Sequence, residues 1–116
     1  LHVDDLASAC IYVLQYWCPD RQDSPRDNKG NNLNHLNVGT GMDISIKELA
    51  ERIAFAVGYK GQILWDKTKP DGTMRKRLDI SKILSLGWRP KININDGIST
   101  TIQSYLDEKS EFLLRE

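Results

Sequence analysis

The chain has 116 residues, of which 40% are hydrophobic and 28% charged, and its 16 basic and 16 acidic residues leave no net charge. This length and composition are typical of one globular domain with a modest core. The zero net charge disfavours a general nucleic-acid binder, and no apolar run approaches the roughly 20 residues that span a bilayer, so neither nucleic acid nor a membrane is an expected partner.

The start of the chain and its cysteines give two further expectations. There is no signal peptide. There is also no initiator Met, which predicts that the chain is a piece of a longer protein. Cys10 and Cys18 do not amount to a disulfide framework, so a reducing, cytoplasmic setting is expected. No Cys/His cluster has the spacing of a zinc site, and no metal is expected.

Residues 1–17 predict the end of a strand followed by a helix. Leu1 to Val3 form the strand end, Asp4 is the expected N-cap, and Pro19 stops the helix. Residues with helical spacing form an apolar stripe that is expected to be buried: Leu6, Ala9, Cys10, Val13, Leu14 and Trp17. Residues 18–35 are polar and predict a long loop.

The next segment predicts a strand, a turn and a helix. Leu36 to Val38 form the strand, and the turn Gly39-Thr40-Gly41 is not a dinucleotide fingerprint, because Ile44 stands where the third glycine is needed. Ser45 and Glu48 form a capping box. The helix that follows ends at Gly58 and has a predicted buried stripe of Ile46, Leu49, Ala50, Ile53, Ala54 and Val57.

The remaining elements are a strand and two helices. Gln62 to Trp65 predict the strand, Asp79 is expected to cap a short helix that Gly87 ends, and the last helix begins near Asn93. Strands that alternate with helices predict an α/β fold with short parallel strands and covering helices. Two short strands cannot make an independent sheet, so they either join strands elsewhere or form a small layer that covers another part.

A basic loop lies between the last strand and the short helix. Pro70-Asp71-Gly72 is a turn signal, and three consecutive cations, Arg75, Lys76 and Arg77, follow it. Residues 60–91 contain nine basic and three acidic residues, a net charge of +6. Clustered cations beside a turn carboxylate suit a phosphate ester, and a solvated basic surface loop is the alternative.

One pair of residues has the spacing of a catalytic pair. Tyr105 and Lys109 form Tyr-x-x-x-Lys, as in short-chain dehydrogenases, and would be neighbours on a helix. Tyr105, however, lies on the apolar stripe of the last helix, and no phosphate-binding glycine loop precedes it. We therefore expect no catalytic residue and no cofactor site within this chain.

Taken in order, the motifs resemble one family. They are His2-Val3-Asp4-Asp5-Leu6-Ala7, Leu36-Asn37-Val38-Gly39-Thr40-Gly41, Ile46-Lys47-Glu48-Leu49-Ala50, Lys69-Pro70-Asp71-Gly72-Thr73 with Arg75-Lys76, and Leu86-Gly87-Trp88. The chain is similar, except from Trp17 to Asn34, to the C-terminal part of the GDP-L-fucose synthase family, which is within the extended short-chain dehydrogenase/reductase group. Met74 and Arg77 depart from the usual residues of the loop.

The resemblance implies an NADP-dependent enzyme that makes GDP-L-fucose from GDP-4-keto-6-deoxy-D-mannose by epimerisation at C3 and C5 and reduction at C4. NADP(H) and the catalytic residues would lie on a missing N-terminal Rossmann domain, in cis or as a separate chain, so the isolated chain is expected to be inactive. Asp71 would contact the GDP-sugar substrate, Lys76 would approach its pyrophosphate, and Arg75 is a weaker candidate. The family enzymes are expected to be homodimeric.

The domain organisation follows from the same resemblance. Residues 1–17 would pack on the missing Rossmann domain, residues 18–35 form the polar loop, residues 36–107 form the GDP-sugar-binding portion, and residues 108–116 form a tail. Two other functions are compatible with the sequence. One is the substrate domain of a related nucleotide-sugar epimerase or dehydratase, and the other is a non-catalytic anion-binding module.

Overall fold

The protein, seen in a computed structural model, is described over residues 1–70 and 72–113. It contains four helices in those ranges: α1 (Val3–Tyr16), α2 (Ile46–Ala56), α3 (Ser81–Leu86) and α4 (Ile94–Leu113). All four helices were predicted from the sequence. α4 continues through the first six residues of the segment that was assigned to a tail.

The chain divides into two compact units. The first unit consists of Leu1–Asp43 and Lys76–Ile92, and therefore contains α1 and α3. The second unit consists of Ile44–Arg75 and the chain from Asn93 onward, and contains α2 and α4. Each unit thus combines two segments that are distant in sequence.

The predicted strands are absent from the described ranges. Leu1 and His2 have no regular structure and Val3 already begins α1, while residues 36–38 and 62–65 belong to no strand. The only strand-like pairing described in residues 1–70 and 72–113 is an isolated antiparallel bridge between Arg26 and Asn32. Segments this short need neighbouring strands to satisfy their backbone groups, and the described residues do not supply them. The prediction of short parallel strands is therefore not confirmed.

α1 begins two residues earlier than the sequence predicted. His2 occupies the N-cap position, and its Nδ1 accepts a hydrogen bond from the backbone N–H of Asp4 at 3.2 Å. The prediction that Asp4 is the N-cap is wrong. Asp4 and Asp5 instead lie in the first turn, where a carboxylate is favoured by the positive end of the helix dipole.

A small apolar core holds the first unit together. Its buried residues come from α1, from α3 and from the segments next to α3: Ala9, Ile80, Ile83 and Trp88. Tyr12, Val13, Val38 and Leu84 are partly buried and pack against these four. Residues 36–38 thus contribute to the core through Val38, although they form no strand.

Asp5 is buried in the first unit, with 3% of its surface exposed. Its carboxylate accepts hydrogen bonds from the backbone N–H groups of Lys91, at 3.0 and 3.1 Å, and Ile92, at 2.9 Å. A buried carboxylate is costly unless its oxygens are satisfied, and these amides satisfy them. Asp5 therefore connects the first turn of α1 to the end of the first unit's second segment.

Two more polar side chains of α1 reach the same segment. The indole N–H of Trp88 donates to Oγ of Ser8 at 3.0 Å, and the hydroxyl of Tyr12 donates to the carbonyl oxygen of Leu86 at 2.7 Å. Ser8 and Tyr12 follow Asp5 at helical spacing, so the three lie on one face of α1. This polar stripe, Asp5, Ser8 and Tyr12, fixes residues 86–92 along α1.

The predicted apolar stripe of α1 is buried only in part. Ala9 is fully buried and Val13 packs against the core, but Leu6, Cys10 and Leu14 are exposed. Leu14 has 86% of its surface exposed. The prediction that Cys10 is buried is therefore wrong. The polar stripe occupies the inward side of α1 and turns these apolar residues outward.

The polar loop of residues 18–35 is ordered by its own hydrogen bonds. Asp27 accepts bonds from the backbone N–H groups of Lys29 and Asn31, both at 2.8 Å. The Oγ of buried Ser24 donates to the carbonyl of Cys18, and Nζ of Lys82 donates to the carbonyl of Arg26. The last bond ties the loop to α3.

The second unit is built on α2 and α4. Ser45 caps α2 as predicted, because its Oγ accepts the N–H of Glu48 at 3.0 Å. Asn93 precedes α4, and its Oδ1 accepts the N–H groups of Asn95 and Asp96, each at 3.0 Å. The predicted stripe of α2 is not buried: no residue of this helix is buried, and Ile46 is 71% exposed.

α3 starts and ends close to its predicted limits. Ile80 occupies the N-cap position, one residue after the predicted cap Asp79, and the Oδ1 of Asp79 accepts the N–H of Ser81 at 2.9 Å. Gly87 ends the helix in the left-handed conformation, with φ of 108°. A side chain is disfavoured in that conformation, which explains the glycine.

Asp5→Ala is expected to lower the free energy of unfolding by about 2–4 kcal/mol, because the amides of Lys91 and Ile92 lose their charged acceptor. Urea unfolding measures the loss. The matched control is Asp4→Ala, which removes an exposed carboxylate from the same turn and should cost at most about 1 kcal/mol. Equal losses in the two variants would show that the buried contact is unimportant.

Gly87→Ala is expected to destabilise the chain by about 2–3 kcal/mol. Backbone strain accounts for roughly 1–2 kcal/mol, and the rest comes from loss of the hydrogen bond that Tyr12 donates to the carbonyl oxygen of Leu86. The new methyl group would lie 2.7 Å from the hydroxyl oxygen of Tyr12. Gly30→Ala is the control, since Gly30 also has positive φ, 84°, but has nothing within 4 Å of an added methyl group. Thermal melting compares the two, and a smaller loss for Gly87→Ala contradicts the expectation.

Candidate functional site

Three residues of the basic loop, Asp71, Arg75 and Lys76, are predicted to contact a ligand. Asp71 lies outside the described residues. Arg75 ends the first segment of the second unit, Lys76 begins the second segment of the first unit, and both are exposed. The basic loop therefore crosses the division between the two units, with one end in each.

The first end of the basic loop is a folded turn in the second unit. The Oδ1 of Asp66 accepts hydrogen bonds from the backbone N–H of Thr68 at 2.9 Å and from its hydroxyl at 2.6 Å. These bonds from Thr68 hold the pKa of Asp66 below its ordinary value. Lys67 and Lys69 flank Thr68 and are exposed, so this turn presents two cations to solvent.

The second end of the basic loop is fixed within the first unit. The side-chain amide of Asn37 donates to the carbonyl oxygen of Asp79 at 3.1 Å. The backbone N–H of Ser81 is the main reason that the pKa of Asp79 lies below its ordinary value, and the charges of Lys82 and Arg77 lower it further. Ile80 follows and is buried in the core.

The exposed cations give the loop its electrostatic character. Lys67, Lys69 and Lys76 form no ion pair with any carboxylate in the described part of the chain. Such cations can meet phosphate oxygens without first breaking an internal pair. The described part of the loop is therefore compatible with an anionic ligand.

Sequence reasoning missed a groove in the second unit. It has a volume of about 720 Å³ and lies between α2 and α4. Its lining residues are Glu48, Glu51, Arg52, Phe55, Ala56, Asn95, Ile98, Ser99, Ile102, Gln103 and Leu106. Arg52 bridges the two helices, donating to Oδ1 of Asn95 at 2.7 Å and to the carboxylate of Glu48. On α4 the signal for it was the apolar spacing of Ile98, Ile102 and Leu106, whereas the α2 side is not lined by the predicted stripe of that helix.

Other kinds of site receive no support in the described ranges. No group of three or more His, Cys, Asp or Glu residues there could hold a metal ion. Tyr105 of the Tyr-x-x-x-Lys pair is 63% exposed on α4. None of the helices in residues 1–70 and 72–113 combines the length and apolar character that a bilayer span requires.

Comparison with known proteins gives close relatives along nearly the whole chain. GDP-L-fucose synthase 1 of Arabidopsis thaliana is 45% identical over 91% of this chain. GDP-L-fucose synthase of Escherichia coli K12 is 43% identical over 97% of it. The chain spans only 29% and 34%, respectively, of the lengths of these two proteins. No family model matches the chain.

Two solved structures have the same fold as this chain. A GDP-6-OMe-4-keto-L-xylo-heptose reductase from C. jejuni has a TM-score of 0.81 and 41% identity, over 93% of this chain and 30% of that one. A GDP-mannoheptose C4 reductase from Campylobacter jejuni with NADP bound has a TM-score of 0.72 and 39% identity, over 90% of this chain and 30% of that one.

These matches identify the class of protein to which the chain is related. The chain is homologous to GDP-sugar reductases of the extended short-chain dehydrogenase/reductase family and matches the C-terminal part of them. Within that class, it is homologous to the C-terminal part of the GDP-L-fucose synthases, so the resemblance seen in the sequence motifs is confirmed.

Proposed function

We propose that this chain is the C-terminal, GDP-sugar-binding part of an NADP-dependent GDP-L-fucose synthase. The single observation that carries the proposal is the 43–45% identity to GDP-L-fucose synthases over more than 90% of the chain. The complete enzyme would convert GDP-4-keto-6-deoxy-D-mannose to GDP-L-fucose by epimerisation at C3 and C5 and reduction at C4. The chain alone would be inactive.

The basic loop supports a role in binding the diphosphate of the substrate. A GDP-sugar carries two phosphate charges in its pyrophosphate, and the loop region has a net charge of +6 in a chain with no net charge. We assign Lys76 to the pyrophosphate, Asp71 to hydrogen-bond donors of the nucleotide or sugar, and Arg75 to a secondary contact. The substrate-binding portion would be residues 36–107.

The cofactor would be held elsewhere. The relative of known structure was solved with NADP bound, and this chain matches only 30% of it. We therefore assign NADP(H) to the N-terminal part of the relatives, which this chain does not match. The complete enzyme would be a cytoplasmic homodimer, as expected for the family.

The outward face of α1 supports a contact with that domain. Val3, Leu6 and Leu14 are 69%, 45% and 86% exposed, and Cys10 lies between them on the same face. A helix that is apolar on more than one side is normally buried on more than one side. We propose that residues 1–17 pack their outward face on the N-terminal Rossmann domain, while residues 18–35 and 108–116 take no part in the substrate site.

A second candidate function is reduction of a different GDP-sugar. It is favoured by one observation, the 41% identity to a reductase whose substrate is a GDP-heptose derivative. Both candidates use the same GDP group, so the basic loop does not separate them. Turnover of the two keto sugars by the full-length protein decides between them.

Lys76→Ala in the full-length protein is expected to weaken GDP binding ten- to a hundredfold, because a charge-assisted hydrogen bond is worth about 1.5–3 kcal/mol. NADP affinity should be unchanged. Asp71→Ala should likewise weaken GDP binding and leave NADP affinity unchanged. The control is Lys29→Ala, a change at an exposed lysine of the polar loop. Calorimetric titration measures the GDP and NADP affinities of the unaltered protein and of the three variants. If GDP binds equally well to Lys76→Ala and to the unaltered protein, the loop is only a solvated surface and its assignment to the substrate is wrong.

Leu14→Glu is expected to destabilise the full-length protein but not the 116-residue chain. In the 116-residue chain it should leave the melting temperature nearly unchanged, because Leu14 is 86% exposed. In the full-length protein it should cost about 3 kcal/mol, the effect of an unpaired charge buried between domains. Gln15→Glu, at an exposed neighbouring position, is the control for added charge. A full-length Leu14→Glu protein that melts like the control shows that this face is not an interface.

A further inference from the structure

The motif Leu36-Asn37-Val38-Gly39-Thr40-Gly41 has a contact that neither its turn nor the core explains. The Nδ2 of Asn37 donates to the carbonyl oxygen of Asp79 at 3.1 Å. Asn37 and Asp79 are both exposed, so neither group needs this bond to avoid being buried without a partner. Asp79 lies three residues after Lys76, and all three residues belong to the first unit.

The same motif also restrains Ile80, the residue that follows Asp79. A methyl group added at Gly41 would lie 3.1 Å from Cδ1 of Ile80, and one added at Gly39 would lie 3.5 Å from its Cγ2. Gly41 has φ of 72°, where a side chain is disfavoured. These glycines thus allow the motif to approach Ile80, which is 7% exposed. The motif therefore contacts two consecutive residues at the point where the chain leaves the basic loop.

This attachment limits where Lys76 can be. Three residues of extended chain reach about 10–11 Å at most, so a fixed Asp79 confines the Cα atom of Lys76 to that radius. A binding group that is confined beforehand loses less conformational entropy when its ligand arrives. The restraint is therefore of use to binding, whereas an exposed hydrogen bond contributes little to folding stability.

We propose that Asn37 is a positioning residue of the GDP-sugar site: its amide holds the carbonyl of Asp79 and thereby keeps Lys76 within reach of the pyrophosphate. The inference rests on the proposed function, because it assumes that Lys76 contacts the ligand. It gives the Asn37 motif a role in substrate affinity that its position, far from the loop in sequence, does not suggest. Asn37 itself touches no ligand in this proposal.

A double-mutant cycle in the full-length protein tests the proposal. Asn37→Ala is expected to weaken GDP binding about three- to tenfold, the equivalent of one neutral hydrogen bond. The effect of Lys76→Ala should become smaller by the same factor in the Asn37→Ala background, because both changes act through one contact. Asn28→Ala, at an exposed asparagine of the polar loop, should change neither affinity.

Two further measurements separate positioning from a structural role. The melting temperature of Asn37→Ala should stay within a degree or so of the unaltered protein, as expected for an exposed bond. Hydrogen exchange at the amide of Ser81, which donates to Oδ1 of Asp79, should become faster, with residues 3–16 of α1 unaffected. A large fall in melting temperature, with exchange faster throughout the first unit, would show that Asn37 is needed for folding and would overturn the proposal.

The outcomes distinguish this proposal from the one on which it rests. If Lys76→Ala weakens GDP binding but Asn37→Ala does not, the loop binds the substrate and the positioning role is wrong. If both weaken binding but their effects simply add, Asn37 acts independently of Lys76, and the positioning role is again wrong. If Lys76→Ala itself has no effect, the assignment of the basic loop fails, and the role of Asn37 fails with it.

Discussion

The buried carboxylate of Asp5 is the contact on which the first unit depends. Its hydrogen bonds to the N–H groups of Lys91 and Ile92 join residues that are 86 and 87 positions apart. A carboxylate with 3% exposure is tolerated only because those amides satisfy it. Because residues 91–92 are fixed at the start of α1, Ser8 and Tyr12 lie within hydrogen-bond distance of Trp88 and Leu86. These bonds hold α3 against the core. The basic loop ends next to α3, so its position depends on the same anchor.

This anchor also explains why α1 leaves apolar residues in solvent. The polar stripe Asp5, Ser8 and Tyr12 occupies the side of the helix that faces residues 86–92. Leu6 and Leu14 therefore point away from the unit's own core. One helix thus has an internal face held by hydrogen bonds and an external face suited to hydrophobic contact. Under the proposed domain contact, the second face packs on another domain.

Features with local causes could be predicted from the sequence, and features with distant causes could not. The capping of α2 by Ser45 and the end of α3 at Gly87 follow from neighbouring residues, and both predictions are confirmed. The burial of Asp5 depends on amides more than 80 residues away, and no local pattern distinguishes it from exposed Asp4. The strand predictions failed because strands need partners that these residues do not have. For the site, the sequence indicated the cations but not the hydrogen bond from Asn37 to the carbonyl oxygen of Asp79.

The exposure of the basic loop limits what it can do alone. A contact between exposed charges is worth about 0–1 kcal/mol and weakens further with salt. The same contact is worth about 1.5–3 kcal/mol when a charged hydrogen bond is shielded from water. Lys67, Lys69 and Lys76 are all exposed in this chain, so a pyrophosphate on this loop would be held weakly in open solvent. Under the proposed function, firm and selective binding of a GDP-sugar therefore requires a cover over the ligand. The part of the GDP-L-fucose synthases that this chain does not match is the natural source of that cover, which makes substrate affinity a property of both parts together.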